Sequence, residues 1–220
     1  MTENEFKDLI NEVKKNKTQR YRSYVIALKI GYYTGMRLGE VLALEKKDLD
    51  FVNELIYIDK SVFYDQDNKE LVVKTAKTEA SNNNIPIPKI LKQTLQDFIK
   101  TNNSDYVVID NDLNMINPQV LKTYLERYSK RTGVHISFHM LRHTFATRLW
   151  KQNVDVKIAQ RLLRHESYQT TLDVYTSLEN ENLNKIVNDI FRDFFNNFWH
   201  IFSTFLAQYL CNIYTLVMIF

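Results

Sequence analysis

A mainly α-helical fold with one small antiparallel three-stranded sheet is what this sequence predicts, on three observations. Glycine and proline number only four and three in 220 residues, which leaves little material for turns and favours long helices. Apolar residues make up 45% of the chain, enough to build a core. Apolar positions recur at helical spacing towards both ends, while β-prone segments are confined to the stretch between residues 55 and 88.

Phe6, Leu9, Ile10 and Val13 fall on one helical face, so residues 3–15 read as an amphipathic helix. A second helix is expected over 20–34, closed by Gly35, whose tolerance of a left-handed backbone suits a C-terminal cap. Residues 37–44 read as a short helix. Segments 55–59 (LIYID), 70–75 (ELVVKT) and 84–88 (NIPIP) carry strand-forming residues between turn-formers and are assigned to the sheet. Helices resume over 89–101, 117–131, 138–151, 155–163 and 169–176, and a long one begins near 179. Asn117 and Pro118 supply a cap and a first-turn proline, and Gly133 ends that helix. There is no repeat and no low-complexity linker, so residues 1–190 are assigned to one domain. Residues 191–220 are set apart as a hydrophobic C-terminal tail, because no Asp, Glu, Lys or Arg occurs from Phe194 to Phe220.

Several function classes are disfavoured by composition. The single cysteine, Cys211, excludes an internal disulfide framework and fits a reducing compartment such as the cytoplasm. The five histidines, at 135, 139, 143, 165 and 200, show no metal-site spacing. The opening MTENEFKDLINEVKK is too polar for a secretory signal. The uncharged tail is long enough to cross a bilayer, but Asn196, Asn197, His200, Gln208 and Asn212 are costly in lipid. A protein-docking tail, or sequence from a disrupted reading frame, is therefore favoured over a membrane span. Net charge is only +3, yet Lys14, Lys15, Lys17, Arg20 and Arg22 cluster early, and Lys122, Arg127, Lys130 and Arg131 cluster later. Such groups can neutralise backbone phosphates, and taken singly they read equally as solvated helix faces.

Three segments carry chemistry. TGMRLGEVLAL places Arg37 and Glu40 three apart, on one face of a helix, with Gly35 and Gly39 leaving room for a backbone or phosphate to approach. The alternative is a surface ion pair worth under about 1 kcal/mol. FHMLRHTFATRLW places His139 and Arg142 at i, i+3, with Met140, Leu141, Phe145, Ala146 and Leu149 on the buried side. A guanidinium offers a planar fork to phosphate oxygens, and an imidazole can also move a proton. His143 is the competing histidine, with a structural role open to it. RLLRHESYQTTLDVYTSL brings His165 and, ten residues later, Tyr175. A phenol with a free pKa near ~10 becomes a nucleophile only beside cations and a base. Among thirteen tyrosines Tyr175 is singled out by its place in this ordered set.

That set resembles the tyrosine recombinase (phage integrase) family, whose catalytic domain shares its fold with type IB topoisomerases. The resemblance runs from the first helix to about residue 188, and five modest motifs in family order are together specific. It implies that Arg37 and Arg142 clamp the scissile phosphate while Tyr175 attacks it, forming a 3′-phosphotyrosyl bond and releasing a 5′-hydroxyl. His139 would assist proton removal from Tyr175, His165 would hydrogen-bond the phosphate, and Glu40 would orient its neighbours. A hairpin lysine would protonate the leaving oxygen; Lys74 and Lys77 both stand in VVKTAKTEASNNNIPIP, and the family pattern favours Lys77. Because the phosphotyrosyl bond preserves the phosphodiester energy, neither a cofactor nor a metal is implied. The implied partners are double-stranded DNA and further copies of the chain, from dimer to tetramer. A type IB topoisomerase-like enzyme and a catalytically silent DNA-binding remnant are the alternatives.

This chain departs from the family in two places. The family often has Leu-Gly-His before the second histidine, whereas Leu163-Arg164-His165 stands here, which bears on the turn geometry or adds a phosphate contact. Family members usually carry an N-terminal DNA-binding domain as well, and this chain begins at the catalytic domain's first helix, so weak, salt-dependent DNA affinity is expected. The family's C-terminal helix often docks on a neighbouring protomer, a role open to residues 179–195.

Overall fold

Helix α1, Glu3–Lys14, forms because its sequence supplies both a cap and a buried face. Thr2 Oγ1 accepts from the Glu5 N–H, and Glu5 returns the bond to the Thr2 N–H at 2.7 Å. Phe6, Leu9, Ile10 and Val13 are buried, as their spacing predicts. Helix α2, Gln19–Thr34, buries residues on every side and serves as the hub against which α1, α3 (Leu38–Leu42), α4 (Lys89–Lys100) and α6 (Phe138–Lys151) pack. It ends at Gly35, which has a left-handed backbone at φ 66°. These coordinates are a computed structural model and describe residues 1–75 and 84–178.

The strands divide differently from the sequence-based expectation. Strands β1 (Leu49–Asp50), β2 (Leu55–Tyr57) and β5 (Asn84–Pro86) form a three-stranded antiparallel sheet in the order β1-β2-β5. Segment 70–75 does not join them. As β4 (Glu70–Thr75) it pairs with β3 (Lys60–Asp65), a segment that the sequence pattern assigned to no element. The physical signal was a side-chain-built turn rather than glycine or proline: Asp65 Oδ1 accepts from the Asp67 and Asn68 N–H groups, and Lys69 takes a left-handed backbone. Asp50 builds the β1–β2 turn the same way, accepting from Val52 and Asn53.

Helices α5 (Pro118–Thr132) and α7 (Val156–Leu163) complete the named helices, and residues 168–178 are also helical. Asn117 caps α5 with Pro118 in its first turn, and Gly133 closes it with a left-handed backbone. The chain divides into two units, Met1–Thr171 and Leu172–Phe220, and the second is described only over residues 172–178. The predicted long helix from 179 and the tail 191–220 lie outside the described residues. Among the described residues no helix is long and apolar enough to cross a membrane.

Gly39 fits the expected close approach, and what approaches it is protein backbone: a Cβ there would overlap Ser61 Oγ and the Val62 carbonyl oxygen on β3. A main-chain carbonyl cannot swing aside, so Gly39→Ala is expected to destabilise the fold by about 1–3 kcal/mol, read from urea unfolding midpoints. An unchanged midpoint would mean that the β3–β4 hairpin yields to the added methyl group.

Candidate active site

Arg37 occupies the N-cap position of α3, and its main chain and side chain are both held by Glu40. The Arg37 N–H donates to Glu40 Oε2 at 2.8 Å, and Arg37 Nη1 donates to Oε1 at 2.8 Å. Glu40 is only 8% exposed, so this is not the surface ion pair that spacing alone permits. A second guanidinium shares the carboxylate, with Arg164 Nη2 donating to Oε2 at 2.7 Å. The other Arg37 amino group donates to the Arg164 carbonyl at 3.0 Å. Burial alone would raise the Glu40 carboxyl, but Arg164 and Arg37 outweigh it and hold the group below the usual carboxylate range.

Helix α6 starts at Ser137, whose hydroxyl accepts from the Met140 N–H. It buries Arg142 to 5% exposure. Arg142 Nη1 donates to the Gly35 carbonyl at 2.7 Å, and Nη2 donates to the Leu163 carbonyl. Those oxygens lie at the C-terminal ends of α2 and α7, where helix carbonyls carry partial negative charge. Burial, followed by the charges of Arg37 and Arg164, pulls Arg142 down to about 9. It remains cationic at neutral pH, in surroundings that an anion would improve.

Helix α7 is capped by Asp155 and ends in Arg164, with φ 53° and ψ 45°. The His165 N–H then reaches back to the Gln160 carbonyl at 3.2 Å, a Schellman closure. A side chain in that left-handed position costs on the order of 1 kcal/mol relative to glycine. Gln160 Nε2 donates to the His165 carbonyl at 3.2 Å, and His165 Nδ1 lies 2.9 Å from Thr171 Oγ1. Burial is the main cause that lowers His165 to about 4, with Arg142, Arg37, Arg164 and His139 adding to it. The ring is therefore neutral at pH 7.

An NMR titration of the DNA-free protein should find the His165 midpoint near 4 and see it rise in Arg142→Ala, which removes one repelling charge. A midpoint near the ordinary value of about 6.5 would show that the imidazole is solvated instead.

A cavity of about 390 Å³ opens beside these groups, with Met36, Leu38, Leu125 and Phe138 as apolar walls and Arg37, Lys122, Glu126, His139 and Arg142 as polar lining. The structure thus brings Arg37, Glu40, His139, Arg142 and His165 into one region. Lys77 lies outside the described residues. Lys74 is on β4, with Nζ 4.6 Å from the centre of the Phe63 ring. Tyr175 belongs to the second unit, where it is helical and buried. His143 stays exposed beside Thr147, apart from this group. Of the basic clusters, Arg131 and Lys15 both pair with Glu12, as a solvated helix face does, whereas Lys122 lines the cavity. The Arg164 side chain, Gln160, Thr171 and the carbonyls of Gly35 and Leu163 are further parts of the site. Of these, only Arg164 left a sequence signal, as a departure from the family's glycine.

Residues 1–182 match the sequence profile of the phage integrase family. Tyrosine recombinase XerA of Thermococcus onnurineus is 30% identical over 159 residues, covering 70% of this chain and 50% of that protein. Its counterpart in Pyrococcus furiosus is 29% identical over 192 residues, covering 85% and 60%. Tyrosine recombinase XerC of Staphylococcus aureus is 30% identical over 192 residues, covering 84% and 58%. The chain therefore spans between half and three-fifths of the length of these relatives. Among solved structures, the Tn1549 transposon integrase in complex with transposon right end DNA superposes with a TM-score of 0.67 at 20% identity, covering 84% of this chain and 65% of that one. A XerA recombinase crystal structure gives 0.62 at 23%, covering 86% and 64%. Mainly helical, with small antiparallel sheets and the ordered arginine and histidine motifs in place, the chain belongs to the phage integrase family.

Proposed function

We propose that this chain is the catalytic part of a site-specific DNA recombinase, which cuts and rejoins duplex DNA through a 3′-phosphotyrosyl intermediate. The observation that carries the reading is the convergence of an exposed Arg37 and a buried Arg142 beside a neutral His165, with one carboxylate among three guanidiniums. Such a site has an excess of positive charge already in position. Preorganised donors of this kind stabilise the charge that grows on the non-bridging oxygens of a five-coordinate phosphorus.

Tyr175 is the nucleophile in this reading. Its oxygen bonds to phosphorus as the bond to the 5′-oxygen breaks, its proton passes to His139, and Lys77 protonates the leaving oxygen. Rejoining reverses each transfer, so no cofactor or metal enters the cycle. Arg142 uses two of its five N–H groups on Gly35 and Leu163, which leaves three for phosphate. When the Thr171 hydroxyl donates to Nδ1, neutral His165 carries its hydrogen on Nε2 and donates it to the phosphate. Glu40 orients Arg37. Residues 1–190 form the catalytic domain in this reading and 191–220 an accessory tail, and the protein works in the cytoplasm. The Tn1549 integrase was solved with DNA and a lambda integrase was solved as a dimer on a core site, which supports duplex DNA and further copies of this chain, from dimer to tetramer, as partners.

A nicked suicide substrate built from DNA flanking the gene tests this. Protein trapped on the 3′ side, and lost in Tyr175→Phe, is the expected result. Trapping that survives the substitution excludes Tyr175, and gel-shift binding with no adduct at all supports a silent DNA-binding remnant. Relaxation of supercoils without sequence preference supports a topoisomerase-like enzyme.

A further inference from the structure

We propose that Arg164 is a positioning residue, acting through the Glu40 carboxylate to hold Arg37 ready for phosphate before DNA binds. The inference rests on the reading of Arg37 as a phosphate-binding residue. Its starting point is a residue in an unfavoured place, since Arg164 takes the left-handed turn at the end of α7, a backbone that glycine adopts freely and a side chain resists. Its side chain is nevertheless almost fully buried, at 6% exposure. It is directed inward by Nη1 donating to the Leu162 carbonyl at 2.9 Å and Nη2 donating to Glu40 Oε2 at 2.7 Å.

The consequences fall on Arg37 from two sides. The left-handed turn aims the Arg164 carbonyl at Arg37 Nη2, while the Arg164 guanidinium fixes the carboxylate that holds Arg37 Nη1 and the Arg37 N–H. Glu40 cannot rotate without breaking bonds to both arginines. The charge balance matters as much as the geometry. Arg37 and Glu40 alone would form a neutral pair with little attraction for a phosphate. With Arg164 sharing the carboxylate, the cluster keeps a net positive charge, and Glu40 stays ionised despite its burial.

A purely structural staple between α7 and α3 would use the same bonds, so the test must read chemistry. Arg164→Gly suits it, because glycine accepts the turn and keeps the main-chain carbonyl that Arg37 bonds, while the side chain and its hold on Glu40 are removed. In single-turnover cleavage by the full chain, the rate is expected to fall by about 10- to 100-fold, the usual effect of losing a supporting partner, with DNA affinity in gel shifts little changed. The acid limb of the pH–rate profile should move to higher pH, because Glu40 then takes up its proton more readily. Arg164→Lys should restore the acid limb and part of the rate. In a Glu40→Gln background, Arg164→Gly should add nothing. Wild-type rate and pH profile in Arg164→Gly would overturn the proposal, as would an equal slowing with and without Glu40. If the glycine variant melts below the assay temperature, the lysine variant decides, since one ammonium cannot reproduce the fork; wild-type cleavage by Arg164→Lys then overturns the proposal. If the wild-type chain forms no adduct, it is the recombinase reading that fails. The clamp is then judged in DNA-free protein, where the Glu40 carboxyl followed by ¹³C NMR must titrate at higher pH in Arg164→Gly or the clamp is absent.

Discussion

Replacing Arg142 by lysine is expected to slow strand cleavage by about 10²- to 10³-fold, the loss that follows removal of one preorganised oxyanion donor. The reason is geometric. Arg142 is buried, and its two terminal nitrogens are fixed by the carbonyls that end α2 and α7, so its remaining N–H groups point in a set direction. Lysine keeps the charge but has one compact ammonium, which cannot bond both carbonyls and a phosphate in a planar fork. The effect therefore measures orientation rather than charge. Arg142→Ala should do more, because each carbonyl left without a partner adds about 1–3 kcal/mol of destabilisation, and the chain should melt earlier as well as cleave more slowly. Single-turnover trapping on a suicide substrate measures the first effect and thermal unfolding the second. A lysine variant within a few-fold of wild type would remove Arg142 from the phosphate clamp.

Periodicity carried the helices. Phe6, Leu9, Ile10 and Val13 announced α1, and Gly35, Asn117, Pro118 and Gly133 marked ends that the structure places within a residue or two. Periodicity failed at the strands, because only Ile58 and Asp59 separate β2 from β3, and the turn after β3 is made by Asp65 and Asn68 rather than by glycine or proline. The site was legible as residue types at helical spacing, which put Arg37 beside Glu40 and His139 beside Arg142. Its depth was not legible. That Glu40 would be shared by two arginines depends on the end of α7 meeting the start of α3, a contact between residues 124 positions apart that no local pattern encodes. Gln160 and Thr171 lie only five and six residues from His165, but their hydrogen bonds to it follow from how α7 closes rather than from helical spacing.

The largest stability effect is expected from Glu40→Ala, about 3–5 kcal/mol, because it leaves the buried Arg164 guanidinium without its counter-charge. For a unit of this size each kcal/mol moves the melting temperature by about 2–4 °C, so a fall on the order of 10 °C is expected. The pH dependence follows from the same contacts. Glu40 is held below its unfolded value, so its contribution is full above the ordinary carboxylate range and is lost as pH falls through the lowered folded value. His165 acts in the same direction in a higher window: between its unfolded value of about 6.5 and its folded value of about 4 the unfolded chain binds the extra proton, so stability declines as pH falls through that range. Wild-type protein should therefore lose stability on acidification first through His165 and then through its carboxylates, and Glu40→Gln should keep the His165 stage and lose less in the carboxylate range, where Glu12, Glu45 and Glu54 still contribute. Melting curves from pH 7 downward separate the two. If Glu40→Ala melts with the wild type at neutral pH, Arg164 must find water in place of the carboxylate, and the closed cluster around Arg37 does not persist in solution.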